Sequence, residues 1–257
     1  MTVTDALLIM LAGLGAGTIN TIVGSGSLIT FPTLLLLGVP PVTANVSNNL
    51  GMVAGGVTGS WGYRSELIDS RATFLRLAPM SLLGAIIGAL LLLVLPSEAF
   101  SAIVPVLIAF GLLMVIVGPR LQRWAARRHQ DTGMRPRWQQ PVLQGGVLVT
   151  GAYGGYFGAA QGVILMGLLS TLAEGSLQRL NAIKNVLALI VNGVAAVVFL
   201  LFAREHIDWW LVLLLSIGTL TGGFVGASVG KRLPPAVLRA IIIVVGIVGI
   251  VKIVWFP

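Results

Sequence analysis

Ten apolar segments follow one another along the chain, and the same order of long and short segments occurs twice. In the first half they cover residues 7–23, 28–37, 42–63, 74–95 and 99–117, and in the second half residues 142–157, 163–172, 181–202, 209–229 and 236–255. Apolar runs of about 20 residues are long enough to cross the hydrocarbon core of a bilayer as α-helices. The pattern therefore predicts an all-α polytopic membrane protein with about 8–10 membrane segments.

The segments 28–37 and 163–172 are too short to span a membrane. An α-helix rises 1.5 Å per residue, so about ten residues reach only half of the roughly 30 Å of hydrocarbon. Each short segment follows an interruption, at residues 24–27 in the first half and 158–162 in the second. Irregular backbone at membrane depth is tolerated only where protein or a polar cavity satisfies it. We therefore expect two half-helices whose breaks lie inside the protein.

Glycine and proline positions of the first half recur in the second half after 137 or 138 residues. Gly13, Gly17, Gly24, Gly38, Gly56, Gly84, Gly88 and Pro96 match Gly151, Gly155, Gly162, Gly175, Gly193, Gly222, Gly226 and Pro234, and Asn48 aligns with Asn185. Two copies of a set of broken membrane segments are typical of secondary transporters, whose site lies where the copies meet. We divide the chain into a first transmembrane repeat (residues 1–121), an Arg-rich cytoplasmic linker (122–141) and a second transmembrane repeat (142–257).

The distribution of basic residues indicates that the two repeats are inverted relative to each other. Six arginines lie between residues 119 and 141, which predicts a cytoplasmic loop by the positive-inside rule. The turn around Glu98 carries no basic residue, whereas the equivalent turn of the second repeat carries Lys231 and Arg232. This exchange predicts two inverted repeats with both chain termini outside.

The composition supports a membrane protein and excludes several other classes. Charged residues are 9% and hydrophobic residues 56% of the sequence, with a mean hydropathy of +0.99, whereas soluble domains are about one quarter charged. The net charge of +8 does not indicate nucleic-acid binding, because the arginines concentrate in one predicted loop, where we expect contact with membrane lipid. The absence of cysteine excludes disulfides and thiolate metal sites, and we predict no metal, cofactor or catalytic residue.

Both breaks are candidate substrate-binding sites. Backbone N–H groups at the start of a half-helix bind anions, and Ser25 and Ser27 can donate to a ligand or cap the helix. Glycine packing and simple capping are the structural alternative. The candidate residues are Asn20, Gly24, Ser25, Gly26 and Ser27 in the first repeat and Gly158, Gln161 and Gly162 in the second.

Lys184 is the strongest single candidate for a substrate-binding residue, because it lies within an apolar segment. A lysine at membrane depth usually faces a cavity or a partner, where its charge can counter that of an anion. A lysine near a helix end can instead extend its ammonium to the membrane interface, and the sequence leaves both roles open. Asn45, Asn48 and Asn185 complete the predicted site, with interhelical hydrogen bonding as their alternative role.

The chain resembles the TauE/SafE family of sulfite exporters, also described as the 4-toluene sulfonate uptake permease family. The resemblance is carried by residues 13–20 (GLGAGTIN), 23–27 (VGSGS), Pro32, 38–40 (GVP) and Ala44, and by Gly151, Gly155, Gly158, Gly162 and 181–185 (NAIKN). It implies transport of sulfite, sulfonates or other sulfur-containing or organic anions. The chain departs from the family in the serines of its first break and in lacking a proline after the second.

We therefore expect a multi-pass protein of the cell inner (plasma) membrane that carries a small anionic substrate by alternating access between the repeats. The apolar segments hold no nucleophile–base pair, which argues against a membrane enzyme. A membrane scaffold or assembly subunit without transport activity is the alternative, because apolar packing needs no special residues. The pattern does not predict an oligomeric state.

Overall fold

The computed structural model describes residues 2–68, 70–129, 138–229 and 235–255, and these residues form a bundle of α-helices. The first half contains α1 (Val3–Ile22), α2 (Ser27–Leu36), α3 (Pro41–Gly62), α4 (Arg64–Ile68), α5 (Arg71–Val94) and α6 (Ser97–His129). The second half contains α7 (Gln139–Tyr156), α8 (Gln161–Leu172), α9 (Leu177–Phe202), a 3₁₀ turn (Arg204–His206), α10 (Trp209–Val229) and α11 (Pro235–Trp255). The all-α fold and the two short half-helices are confirmed.

Five of the described helices are long and apolar enough to cross a membrane: α1, α5, α6, α9 and α10. Shorter apolar helices cover Ser27–Leu36, Gln161–Leu172 and Val237–Val251. The chain is thus a polytopic membrane protein.

Helix α6 differs from its predicted segment, because it continues as helix beyond residue 117 to His129. The predicted Arg-rich linker therefore begins as helix rather than as an irregular loop. Residues 130–137 lie outside the described part of the chain, as do Lys231 and Arg232, on which the predicted inversion depends. The division into two repeats and a linker stays a prediction.

Helices of the two halves pack on each other in matching pairs. The contact of α1 with α10 matches that of α7 with α5. The contact of α3 with α10 matches that of α9 with α5, and the contact of α2 with α11 matches that of α8 with α6. Small residues allow the closest of these contacts: a Cβ at Gly222 would collide with the backbone at Leu14, and one at Gly84 with the backbone at Leu148. Each pair becomes the other when the halves are swapped, as a two-fold relation between two repeats requires.

Hydrogen bonds at the helix ends show which residues of the two breaks correspond, and they do so more closely than the glycine pattern. The N–H groups of Val23 and Gly24 both donate to Ile19 O, and those of Phe157 and Gly158 both donate to Tyr153 O. Gly24 and Gly158 also share a positive φ, of 90° and 77°. Gly158 is therefore the structural equivalent of Gly24, and the sequence pairing of Gly24 with Gly162 is wrong by four residues.

A second pair of hydrogen bonds relates α3 to α9. Thr219 of α10 donates to Gly51 O at 2.6 Å, and Ser81 of α5 donates to Leu187 O at 3.2 Å. Because these two bonds are equivalent, Gly51 corresponds to Leu187. Lys184, three residues before Leu187, therefore corresponds to Asn48, three residues before Gly51. Asn181 and Asn185 correspond in the same way to Asn45 and Asn49, which shifts the sequence pairing of Asn48 with Asn185 by one position.

Candidate functional site

The two breaks touch each other inside the bundle. The N–H of Gly162 donates to Gly24 O at 2.9 Å, and a Cβ at Gly24 would lie 2.5 Å from Gly162 Cα. The positive φ of Gly24 turns the chain from α1 into α2, a conformation that glycine adopts without a Cβ penalty. The irregular backbone of each repeat is therefore covered by the other, as membrane depth requires.

The first break leaves hydrogen-bond donors unused at the start of α2. Ser25 is 1% exposed, and its Oγ has no hydrogen-bond partner. Helix α2 begins without a side-chain cap, and among the described residues no backbone acceptor is found for the N–H groups of Ser25, Gly26 and Ser27. The capping role considered for the two serines is thus not used, and the site presents free donors at the positive end of a helix dipole.

The second break is built differently. Ala160 before α8 has a left-handed backbone with φ of 61°, and Gly162, in the first turn of α8, already donates to Gly24 O. Gln161 is 3% exposed, and its Nε2 has no partner. Ser25 follows Gly24 in the sequence and Gln161 precedes Gly162, so each of the two touching glycines has a neighbour with an unused donor. The amide of Gln161 packs against Gly154 of α7.

Lys184 binds the end of α1. Its side chain is 1% exposed, and Nζ donates to Asn20 O at 3.0 Å and Thr21 O at 3.2 Å. Asn181 and Asn185 also donate to Thr21 O, at 3.2 and 3.3 Å. The ammonium neutralises the negative end of the α1 dipole. Lys184 therefore points into the protein and does not extend to the membrane interface.

Two asparagines of the first repeat form hydrogen bonds, one with the end of α7 before the second break and one with helix α2. Asn45 Nδ2 donates to Tyr156 O at 2.9 Å, at the end of α7. Asn48 Oδ1 accepts a hydrogen bond from Thr30 of α2. Asn45 thus lies at the edge of the predicted site, whereas the carbonyl oxygen of Asn48 is held by a hydroxyl.

A pocket of about 310 Å³ reaches the breaks from one end of the bundle. Its lining includes two residues next to the breaks, Val23 beside Gly24 and Val163 beside Gly162. A second pocket of about 340 Å³ adjoins it and adds Arg120. The polar lining of the first pocket consists of Tyr63, Gln178, Asn181 and Arg239.

These polar lining residues were missed as site residues in the sequence. The Tyr63 side chain is buried and is hydrogen-bonded with the Asn181 side chain. Tyr63 and Arg239 lie in opposite halves of the chain, so only the tertiary fold brings them together. Asn181 had a usable signal, since it lies with Lys184 and Asn185 in the stretch that carries the family resemblance.

Comparison with known proteins gives one consistent result. A family model described as "Sulfite exporter TauE/SafE" matches residues 9–253. The chain is 28% identical to "Probable membrane transporter protein ORF9" of a Sinorhizobium species, over 94% of this chain and 89% of that protein. It is 28% identical to a "Probable membrane transporter protein" of Haemophilus influenzae, over 95% and 92% of the two chains. It is 26% identical to "Probable membrane transporter protein YfcA" of Escherichia coli K12, over 93% and 86%. No solved structure matches significantly.

Proposed function

Because this chain belongs to the sulfite exporter TauE/SafE family of membrane transporters, we propose that it is a secondary transporter of small anions. Sulfite, organosulfonates and related organic anions are the proposed substrates, and the inner (plasma) membrane is the proposed location. The names of the family and of its relatives are those of transporters rather than enzymes. They also favour transport over a scaffold role.

The observation that carries the proposal is the pair of unused donors beside the contact of the breaks. Leaving a buried donor without a partner costs about 1–3 kcal/mol, and both Ser25 Oγ and Gln161 Nε2 are in this state. An oxyanion bound here accepts from both side chains and from the N–H groups at the start of α2. Sulfite and sulfonate offer several acceptor oxygens, which suits a site made of donors.

The charge near the breaks favours an anion. The amino group of Lys184 is buried at the α1 end of the first break and carries a positive charge when protonated, and the start of α2 adds the positive end of a helix dipole. Arg239 and Arg120 lie in the pockets that lead toward the breaks. Positive residues along the approach raise the local concentration of an anion and speed its entry.

The pocket supports alternating access between the two repeats. Its lining includes Pro119 and Arg239, which lie near the Arg-rich linker and the turn with Lys231 and Arg232, both of which we predict to be cytoplasmic. The pocket lining includes Val23 and Val163, the chain neighbours of Gly24 and Gly162, so we propose that the Gly24–Gly162 contact closes the path toward the other side. Rocking of one repeat against the other then separates the breaks and exposes the anion outward.

Ser25→Ala tests the proposal with two readouts of opposite sign. Without anion, removing an unpaired buried hydroxyl should leave stability unchanged or raise it. Affinity for sulfite or a sulfonate should fall by about 1.5–3 kcal/mol, the value of a hydrogen bond to a charged group, or roughly ten- to a hundredfold. Anion-dependent thermal stabilisation of the purified protein measures both quantities.

Ser170→Ala is the matched control, because Ser170 Oγ is a second buried hydroxyl without a partner. Ser170 lies in α8, about 13 Å along the helix axis from Gln161 at 1.5 Å per residue. Its removal should leave anion affinity unchanged. Equal affinities for wild type and Ser25→Ala, or an equal loss in Ser170→Ala, would contradict the proposed site.

A further inference from the structure

Lys184 is a buried basic group without a counter-ion. Its side chain is 1% exposed, and no other Lys, Arg, Asp, Glu or His within the described ranges is buried. Nζ donates to the backbone oxygens of Asn20 and Thr21, and in the described part of the chain no carboxylate forms an ion pair with it. Burial disfavours the charged form of such a group, whereas the negative end of the α1 dipole favours it. The protonation of Nζ therefore depends on a balance that a further charge can shift.

The hydrogen bonds of Lys184 match both N–H groups of its neutral form. A neutral amine carries two N–H groups, and the two carbonyl oxygens lie 3.0 and 3.2 Å from Nζ. An ammonium has three donors, and no acceptor for the third is found among the described residues. Because a buried donor without a partner is unfavourable, the ammonium needs a further negative or polar group. The structure thus accommodates the amine without a ligand and the ammonium with one.

The proposed anion site lies beside this amine. Asn20, whose carbonyl accepts from Lys184, packs against Gly26 at the start of α2, where an added Cβ would lie 2.9 Å from Asn20 Cβ. Gly26 follows Ser25, the residue with the unused hydroxyl. An anion held at the start of α2 is therefore separated from the acceptor of Lys184 by one residue contact. Its negative charge favours the ammonium over the amine.

The pocket reaches the residues next to this amine. Its lining includes Ile22 and Val23, which follow Thr21 in the sequence, and Asn181. Asn181 lies three residues before Lys184, on the same side of α9. It donates to Thr21 O at 3.2 Å, the oxygen that also accepts from Lys184. Water in the pocket is thus close to a proton-accepting group that the present conformation covers.

Other ionisable groups on the elements packed against α9 do not contact Lys184. Helices α3 and α8 contain none, α1 contains only Asp5 in its first turn, and α7 contains Tyr153 and Tyr156. Tyr63, which follows α3, is hydrogen-bonded with Asn181. The charged residues of α4, α5, the 3₁₀ turn and the start of α9 are exposed or half-exposed: Arg64, Glu66, Arg71, Arg76, Glu174, Arg179, Arg204, Glu205 and His206. In the described chain, none of these groups forms a hydrogen bond or an ion pair with Lys184.

We propose that Lys184 is the proton-binding site that couples anion transport to the movement of H⁺. The neutral amine takes one proton from the pocket when an anion binds at the first break, and the ammonium releases it when the anion leaves. The inference rests on the proposed anion transport and names H⁺ as the co-substrate. Proton and anion then travel in the same direction, so a pH gradient drives the anion toward the alkaline side.

The protonation of Lys184 can be observed directly and without an anion. The chain has three lysines, Lys184, Lys231 and Lys252, so protein labelled with ¹⁵Nζ-lysine gives three side-chain signals, and Lys184→Arg identifies one of them. We expect this signal to change from ammonium to amine between about pH 6 and pH 9, a range in which an ordinary lysine stays charged. A Lys184 signal that keeps one form over this range overturns the proposal.

A sulfonate tests the link to the anion, because it is the anion of a strong acid and brings no proton of its own. Wild-type protein in weak buffer with a pH indicator should take up protons when methanesulfonate is added. Its affinity should fall by up to about tenfold for each pH unit above the titration of Lys184, as linkage requires. The ¹⁵Nζ signal of Lys184 should return to the ammonium form on addition of the sulfonate.

Two variants assign the proton to Lys184. Lys184→Arg keeps its charge at every pH used, so it should bind methanesulfonate without proton uptake and with pH-independent affinity. Ser170→Ala, which removes a buried hydroxyl of α8, should take up protons as the wild type does. Sulfonate binding by the wild type without proton uptake, or equal uptake by folded Lys184→Arg, overturns the proposal. If no anion binds, the proposed function fails, and the titration without anion still decides whether Lys184 exchanges a proton.

Discussion

Gly24→Ala should separate the two breaks, because the added methyl group has no room. Its Cβ would lie 2.5 Å from Gly162 Cα and 3.0 Å from Val163 N, and both neighbours are backbone atoms that cannot rotate away. The φ of 90° adds about 1–2 kcal/mol for alanine in a left-handed conformation. Overpacking adds about 1–3 kcal/mol, and loss of the Gly162–Gly24 hydrogen bond about 0.5–1.5 kcal/mol.

Unfolding free energies from denaturant titrations in mixed micelles should therefore show a loss of roughly 3–6 kcal/mol for Gly24→Ala. Gly38→Ala isolates the conformational part, because Gly38 has φ of 79° and open space where the Cβ would be. It should cost only about 1–2 kcal/mol.

Gly162→Ala introduces the same collision from the other side, with a Cβ 2.5 Å from Gly24 Cα, but without a positive φ. It should cost roughly 2–4 kcal/mol. The double variant should lose at least about 1 kcal/mol less than the sum of the single losses, because either change alone already parts the breaks. If Gly24→Ala costs no more than Gly38→Ala, or if the two glycines behave additively, the breaks do not touch.

Two further predictions concern charge and topology. Lys184→Met should weaken anion binding about tenfold or more, because it removes a basic group near the site. Asn185→Ala, which removes a neutral donor to the same carbonyl, should change affinity less than about threefold. If an anion-binding titration shows equal effects for the two variants, the charge of Lys184 has no role in binding. For topology, Glu98→Cys and Glu205→Cys should react with an impermeant thiol reagent from outside intact cells, and Lys231→Cys only after permeabilisation. Labelling of Glu98→Cys and Lys231→Cys from the same side would show that the repeats are parallel.

The order and kind of the helices could be predicted from the sequence, because membrane segments are set by length, hydropathy and interruption. The predicted segment 181–202 became Leu177–Phe202, and 163–172 became Gln161–Leu172. The end of α6 could not be predicted in this way, because an Arg-rich stretch outside the hydrocarbon can continue a helix. Hydropathy marks where a helix leaves the membrane and not where it ends.

The register of the breaks needed the structure, because glycine is required there for two different reasons. Gly158 supplies a positive φ, whereas Gly162 supplies room for the backbone at Gly24. An alignment of glycines cannot separate these roles and paired Gly24 with the second. The hydrogen-bond acceptors of Lys184 could not be predicted either, because they are backbone carbonyls of another helix. A sequence does not distinguish one backbone carbonyl from another.

Flux of ³⁵S-labelled sulfite into liposomes containing the purified protein tests the central claim most directly, with protein-free liposomes and folded Ser25→Ala as controls. We expect saturable uptake that exceeds both controls, that is stimulated by sulfite on the opposite side, and that unlabelled sulfonates inhibit by competition. Uptake by folded wild-type protein no faster than in empty liposomes, for sulfite and for a panel of sulfonates and carboxylates, would contradict it.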